Sequence, residues 1–296
     1  MRGLLWNRRE EHRHRWRNRA QTLLLLAGMA VLLAACGWVV AGPDGLVWLG
    51  LGGGLALVLA PTLPPALMLR LAGARPVAPW QWPLVYRVLD ELARRAGLEN
   101  PPVLHLIASP VANAFAVGNR RQAAIAVTEG VLARLDLREL SGVLAHEISH
   151  IRHGDIRILG LADLISRLTR LMAWLGALLL LFSLPLWLGG EVRVPLPLVL
   201  LLMASPILSA LLQLALSRTR EFDADLDAAS LTGDPLGLVA ALEKMEAPAW
   251  GVWGRILLPR RPPEEPSLLR THPSTAERVA RLLALTQAVE VPPPWR

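Results

Sequence analysis

Apolar and polar positions are unevenly distributed along this chain. Four stretches, 20–43, 45–69, 171–190 and 194–217, contain no Asp, Glu, Lys or Arg. About 20 mostly apolar residues let a helix cross the hydrocarbon of a bilayer, so each stretch predicts a transmembrane helix. Pro61, Pro64 and Pro65 predict a kink or early exit near the end of the second span. Pro185 and Pro206 are tolerable inside the third and fourth where neighbouring groups satisfy the freed carbonyls. Residues 100–119 are also uncharged, but three Pro, three Asn and a His there predict strands and turns instead.

Between the spans the periodicity changes. Leu84, Val85, Val88, Leu89, Leu92 and Ala93 recur at helical spacing, with Asp90, Glu91, Arg94 and Arg95 opposite and a stop at Gly97. Pro101 and Pro102 introduce an extended run from Val103 to Ile107. The runs Ala114 to Val117 and Ala123 to Val127, joined by Gly118, Asn119 and Arg120, predict a β-hairpin. Next comes a helix with Asp136 as N-cap and Glu139 completing a capping box, running to about Arg152 before Gly154. Residues 247–270, rich in Pro, Arg and Trp, read either as an ordinary connection or as a loop resting on lipid headgroups. The expected fold class is α+β, mainly α, with a small β-sheet and four transmembrane helices.

Charge adds orientation. The 296 residues carry 31 basic and 24 acidic side chains, and residues 1–19 alone hold seven Arg and two Glu, which is +5 of the net +7. The short connections between paired spans offer only Asp44 in one case and Glu191 with Arg193 in the other. The positive-inside rule then places residues 1–19, 70–170 and 218–296 in the cytoplasm. A pI near 11.1 is thus a matter of topology and anionic lipid, and nucleic acid is not an expected partner. The single cysteine excludes a disulfide framework and any Cys-rich zinc fold. Leu33-Ala34-Ala35-Cys36 resembles a lipoprotein cleavage site, but the apolar run continues through Trp38, Val39 and Val40, which favours a retained helix.

The candidate chemistry sits on the helix after Asp136, as His146-Glu147-Ile148-Ser149-His150. Histidines at i and i+4 share a helical face one turn apart, so both imidazoles reach one ion. Glu147, rotated by about a quarter turn, misses the ion and reaches a water beside it as a general base. His153 is nearly two turns from His146, about 10 Å along the axis, too far to share that ion. A catalytic zinc takes three protein ligands and keeps one position open. After the fourth apolar run, Glu221 offers the third ligand, and Asp225, one turn on, offers a carboxylate to hold a ligand imidazole. Asp223 and Asp227 read as surface charges.

Taken in order, these features resemble the HtpX-type membrane zinc metalloproteases, more distantly related to the CaaX prenyl proteases. The resemblance spans most of residues 20–285. It is carried by two leading spans, Asn113-Ala114-Phe115-Ala116, the His146 to His150 motif, Asp155, and the inserted membrane pair. Arg218 through Asp225, Thr271-His272-Pro273 and Glu277-Arg278 complete it. It implies one Zn2+ per chain on His146, His150 and Glu221, with Glu147 as base. It also implies that Asn113, Ala114 and Phe115 lie on an edge strand where substrate backbone pairs. His272 is implied as an oxyanion donor or a regulatory ligand, beside the plain reading of a structural His before a helix at Pro273. Phe222 stands where the family often has Tyr. The Arg-rich leader is longer than usual, with no role evident beyond topology.

The sequence thus predicts a multi-pass membrane endopeptidase of the bacterial cytoplasmic membrane with a cytoplasmic, zincin-type catalytic domain. Its expected parts are a basic arm (1–19), spans one and two (20–69), a first catalytic part (70–170), spans three and four (171–217), and a second catalytic part (218–296). Polypeptides are the expected substrates and, by the resemblance, misfolded or damaged membrane proteins among them. The rivals are a non-catalytic scaffold or holdase, disfavoured by the intact ligand set, and a prenyl protease, for whose chambered members four spans are too few. Intramembrane proteolysis is disfavoured because Arg134, Asp136, Arg138, Glu139, Arg152 and Asp155 flank the motif.

Overall fold

The structure, a computed structural model, describes residues 4–6, 8–59, 65–189, 196–246, 273–284 and 286–288. These fall into two compact units, one within Met1–Arg19, Leu63–Ile156 and Arg220–Arg296, the other within Ala20–Thr62 and Arg157–Thr219. The 247–270 loop, His272, Pro61 and Pro64 lie outside the described residues.

The chain begins with a short strand β1 (Leu4–Trp6) and a long helix α1 (Arg8–Leu59), followed by α2 (Pro65–Leu71) and a two-residue strand β2 (Arg75–Pro76). Helix α3 (Pro83–Ala96) carries Pro in its first turn and ends on Gly97, whose positive φ lets its N–H reach the Ala93 and Arg94 carbonyls. Strands β3 (Val103–Ile107), β4 (Ala114–Gly118) and β5 (Ala123–Thr128) join β2 in a sheet of order β2-β3-β5-β4. The predicted hairpin is β4 with β5, antiparallel, with Phe115 opposite Ala126; β3 runs parallel to β5. Thr128 caps the short helix α4 (Glu129–Arg134).

Helix α5 (Leu137–His153) starts as the pattern predicts. The Asp136 carboxylate accepts from the Glu139 N–H at 2.8 Å, and Glu139 accepts in return from the Asp136 N–H at 3.0 Å. Gly154 ends it, and α6 (Asp155–Leu188) follows directly. Then come α7 (Leu196–Thr232), α8 (Pro235–Glu246), α9 (Thr275–Ala284) and β6 (Thr286–Ala288), which pairs antiparallel with β1. Leu140, Val143, Leu144, Ile148 and Ile151 of α5 enter one core with Leu89, Leu104, Ile125, Leu238 and Leu282. Each such side chain stabilises by roughly 1.5–3 kcal/mol when fully buried, which locks the rotation of α5 about its axis. At Gly142 the backbones of α5 and α8 meet closely: a Cβ there would lie 2.9 Å from Leu238 Cα.

Among the described residues, three helices are long and apolar enough to cross a membrane, Arg13–Leu55, Asp155–Pro185 and Leu196–Thr232, and they supply most of the second unit. The first is not straight. Ala41 and Gly42 leave helical geometry just before Pro43, with φ +58° at Gly42. A straight helix would separate Gly37 from Gly45 by about 12 Å, yet a Cβ on Gly45 would collide with the Gly37 carbonyl. The chain therefore doubles back here, where the sequence offered its Gly42 to Gly45 connection. Met29, Ala162, Ile165 and Leu216 form the bundle's core. Ser166 meets the Ser209 hydroxyl at 2.9 Å and donates to Gln213 Oε1 at 2.8 Å, the polar glue that lipid-embedded helices use. Leu24, Trp48, Phe182 and Ile207 are exposed, an apolar exterior suited to lipid.

Candidate metal centre

The locked rotation of α5 turns His146 and His150 onto one face, apart from the core-facing residues. Their rings stand edge to face with centroids 4.7 Å apart, and their Nε2 atoms approach to 3.1 Å. Glu221 of α7 brings its carboxylate oxygens to 3.5 Å from the His146 Nε2 and 3.8 Å from the His150 Nε2. One ligand atom from each of the three residues thus lies within 4.8 Å of the other two.

The opposite ring nitrogens are already engaged. His146 Nδ1 meets Asp225 Oδ1 at 3.0 Å, and His150 Nδ1 meets Asp155 Oδ2 at 2.7 Å. An Nδ1–H donated to a carboxylate leaves the Nε2 lone pair facing the centre. Two such lone pairs 3.1 Å apart repel each other unless a cation or proton lies between them. Nitrogens bound tetrahedrally at ~2.0–2.1 Å would stand about 3.3 Å apart, so the spacing suits a metal.

Charge points the same way. Six buried carboxylates, those of Glu147, Asp155, Glu221, Asp223, Asp225 and Asp227, are matched by four guanidinium groups, of Arg15, Arg152, Arg220 and Arg278. Burial alone lowers the pKa of His146, but hydrogen bonds to Asp225 and Glu221 outweigh it and push the imidazole up to about 10. The field that holds a proton there suits a cation.

Asp225 stands where its i+4 spacing from Glu221 places it, beside His146. Arg278 of α9 grips it in a two-pronged contact, Nε to Oδ2 at 2.8 Å and Nη2 to Oδ1 at 2.6 Å, and comes within 3.6 Å of Glu221. Burial works to lower the Arg278 pKa, but the negative charges of Asp225, Glu221 and Glu147 hold it above its ordinary value. Asp155 and Arg278 belong to the resemblance, but no spacing in the sequence predicts their contacts with His150 and Asp225. Asp155's place at the α5–α6 junction was the available signal; for Arg278 there was none at short range. Asp223 and Asp227 are buried rather than surface charges. Arg220 donates to Asp223, and Arg15 and Arg152 to Asp227, so guanidinium groups take the place of water around both carboxylates. His153 lies toward Asp227, 3.9 Å away, outside the group of three.

Glu147 is buried next to His146 along α5. Asn113 is exposed at the start of β4, its backbone tied to Thr128: Thr128 N–H donates to the Asn113 carbonyl at 3.0 Å, and Asn113 N–H to Thr128 Oγ1 at 3.0 Å. Ala114 and Phe115 follow on β4, which has β5 on one side and no strand on the other among the described residues. Phe222 packs under the Arg281 guanidinium, 3.5 Å from its ring centre.

The model of peptidase family M48 matches residues 79–286. A protease HtpX homolog of Ralstonia pickettii is 35% identical over 300 residues, covering 93% of this chain and 99% of its own. Another, of Nostoc punctiforme, is 36% identical over 294 residues, covering 91% and 97%. Among solved structures, S. mikatae Ste24p is similar at 20% identity and a TM-score of 0.49, covering 90% of this chain and 66% of that one. With a His–His–Glu group able to hold a metal ion and helices fit to cross a bilayer, this chain belongs to peptidase family M48 as a multi-pass membrane metalloprotease.

Proposed function

We propose that the chain is a zinc endopeptidase of the bacterial cytoplasmic membrane, acting at the cytoplasmic face on misfolded or damaged membrane proteins. The observation that carries this reading is the convergence of the His146 and His150 Nε2 atoms on the Glu221 carboxylate while each Nδ1 is tied to a carboxylate of its own. Imidazole and carboxylate ligands at this spacing suit zinc, which when bound polarises a scissile carbonyl and acidifies a water. Glu147 takes the proton of that water and hands it to the leaving amine. The open side of β4 at Asn113, Ala114 and Phe115 receives substrate backbone as an added strand. His272 is the candidate donor to the oxyanion.

Topology supports the location. Residues on both sides of the Ala20–Thr62 segment belong to the unit that holds the metal centre, as do those flanking Arg157–Thr219. Each segment therefore crosses the membrane an even number of times, and the doubled-back α1 supplies two crossings of the first. That makes four crossings in all, and the seven arginines of residues 1–19 put the shared side in the cytoplasm.

The test is Glu147→Gln, near-isosteric and unable to accept the proton. Cleavage of a denatured membrane protein is expected to fall by at least ~10²-fold, with metal content unchanged. Turnover at the wild-type rate would refute the assignment.

A further inference from the structure

The basic arm before the first span has a feature that topology does not require. Asn18 is 3% exposed, although Arg17 and Arg19 on either side of it are exposed. Its Nδ2 donates to Asp223 Oδ1 at 2.8 Å, and the other oxygen of Asp223 accepts from Arg220 Nη1 at 2.5 Å. Arg220 Nε in turn donates to Asp155 Oδ1 at 2.6 Å, and Asp155 Oδ2 holds His150 Nδ1 at 2.7 Å. Every member of this chain of contacts from Asn18 to Asp155 is buried. One turn before Asn18, Arg15 reaches Asp227 at 2.9 Å and shares it with Arg152 of α5.

We propose that Asn18, with Arg15 in support, is a positioning residue of the metal centre: the arm fixes Asp223 and Arg220, and through them the carboxylate that orients His150. Asp223 stands between an amide and a guanidinium; without the amide it loses a buried donor and can be satisfied only by shifting with Arg220. Arg220 shares its guanidinium between Asp223 and Asp155, so that shift is passed to Asp155 and to the His150 ring. The arm is thereby part of the centre's architecture, and chain cleavage ahead of Cys36 would remove both residues. This inference rests on His150 holding a metal.

Cobalt(II) is the probe, loaded into the full-length chain in detergent. In the Asn18→Ala protein the visible ligand-field bands are expected to shift, and the ion to pass to a competing chelator about tenfold faster than from wild type, the lower end for a residue acting through others. Asn18→Leu keeps the approximate shape, removes the donor without adding a charge and is expected to do the same, so a folding defect in the alanine variant does not decide the matter. Arg19→Ala, an exposed neighbour, is expected to match wild type. Bands and release rates in both Asn18 variants identical to wild type would overturn the inference, as would an equal change in Arg19→Ala. Wild-type protein indistinguishable from His150→Ala in its cobalt spectrum would instead defeat the metal reading itself.

Discussion

His146 and His150 each present one nitrogen to a common point because the other is occupied, and the occupants are Asp225 and Asp155. Replacing either by Ala frees the ring to rotate and to change tautomer. Metal affinity is expected to fall about 10–100-fold in each case, read by competition with a chelator. Arg278→Lys tests the next layer: it keeps the charge and loses the two-pronged grip on Asp225, so a fall in affinity would mark geometry rather than charge as its contribution. The sequence makes the candidate ligands and their partners legible unequally. The His146–His150 pair and Glu221–Asp225 are each one helical turn apart, and such spacings can be read within one element. Asp155, Arg220 and Arg278 act across elements, and no local period encodes which guanidinium will meet which carboxylate. Asp223 and Asp227 read as surface charges for the same reason: sequence alone assigns an acidic residue to water, and their partners come from other positions and segments.

At the scale of elements, α5 was legible from cap to cap because its signals are local: Asp136, Glu139 and Gly154 do in the structure what they do in isolated helices. The hairpin was legible from its alternation. The β2 strand and the parallel pairing of β3 with β5 are not: the first depends on where α3 returns the chain beside β2, the second on how the connection between Ile107 and Ala114 carries the hairpin past β3. The junction of α5 and α8 holds one testable contact. Asp234, just before α8, accepts from the Gly237 N–H at 3.1 Å and binds Arg138 of α5. The Arg138 guanidinium beside it holds the Asp234 carboxyl below the usual carboxylate range. A carboxyl with a depressed folded pKa stabilises fully above its unfolded value, ~3.9, and the contribution disappears as pH falls through the folded value. Asp234→Ala is expected to cost about 1 kcal/mol at pH 7, mostly as a lost helix cap, because the bridge to Arg138 is solvent-screened. Thermal unfolding against pH checks this: the gap between wild type and variant narrows below about pH 4, and a gap that widens on acidification would contradict it.

For the whole molecule, the proposed count of four crossings rests on which residues share a compact unit. Met1–Arg19 and Leu63–Ile156 belong to one unit and Ala20–Thr62 to the other, so on the proposed topology the first segment crosses and returns, turning at the break at Ala41 and Gly42. That turn carries Asp44, exposed and on the far side of the membrane from the metal centre if the helix crosses twice. Glu99, exposed beside α3, lies in the unit that holds the centre. Labelling can separate the two because the native thiol, Cys36, is buried and gives little background. In intact cells, Asp44→Cys is expected to react with a membrane-impermeant maleimide, whereas Glu99→Cys reacts only after the inner membrane is opened. The reverse pattern would place the metal centre outside and remove the argument from the seven arginines. Protection of both positions until the membrane is opened would mean that α1 does not cross twice, and the count of four crossings would fall with it. The expected pattern would fix where this protease meets its substrates: with Glu99 shielded in the cytoplasm, the edge of β4 is open only to polypeptide segments on that side.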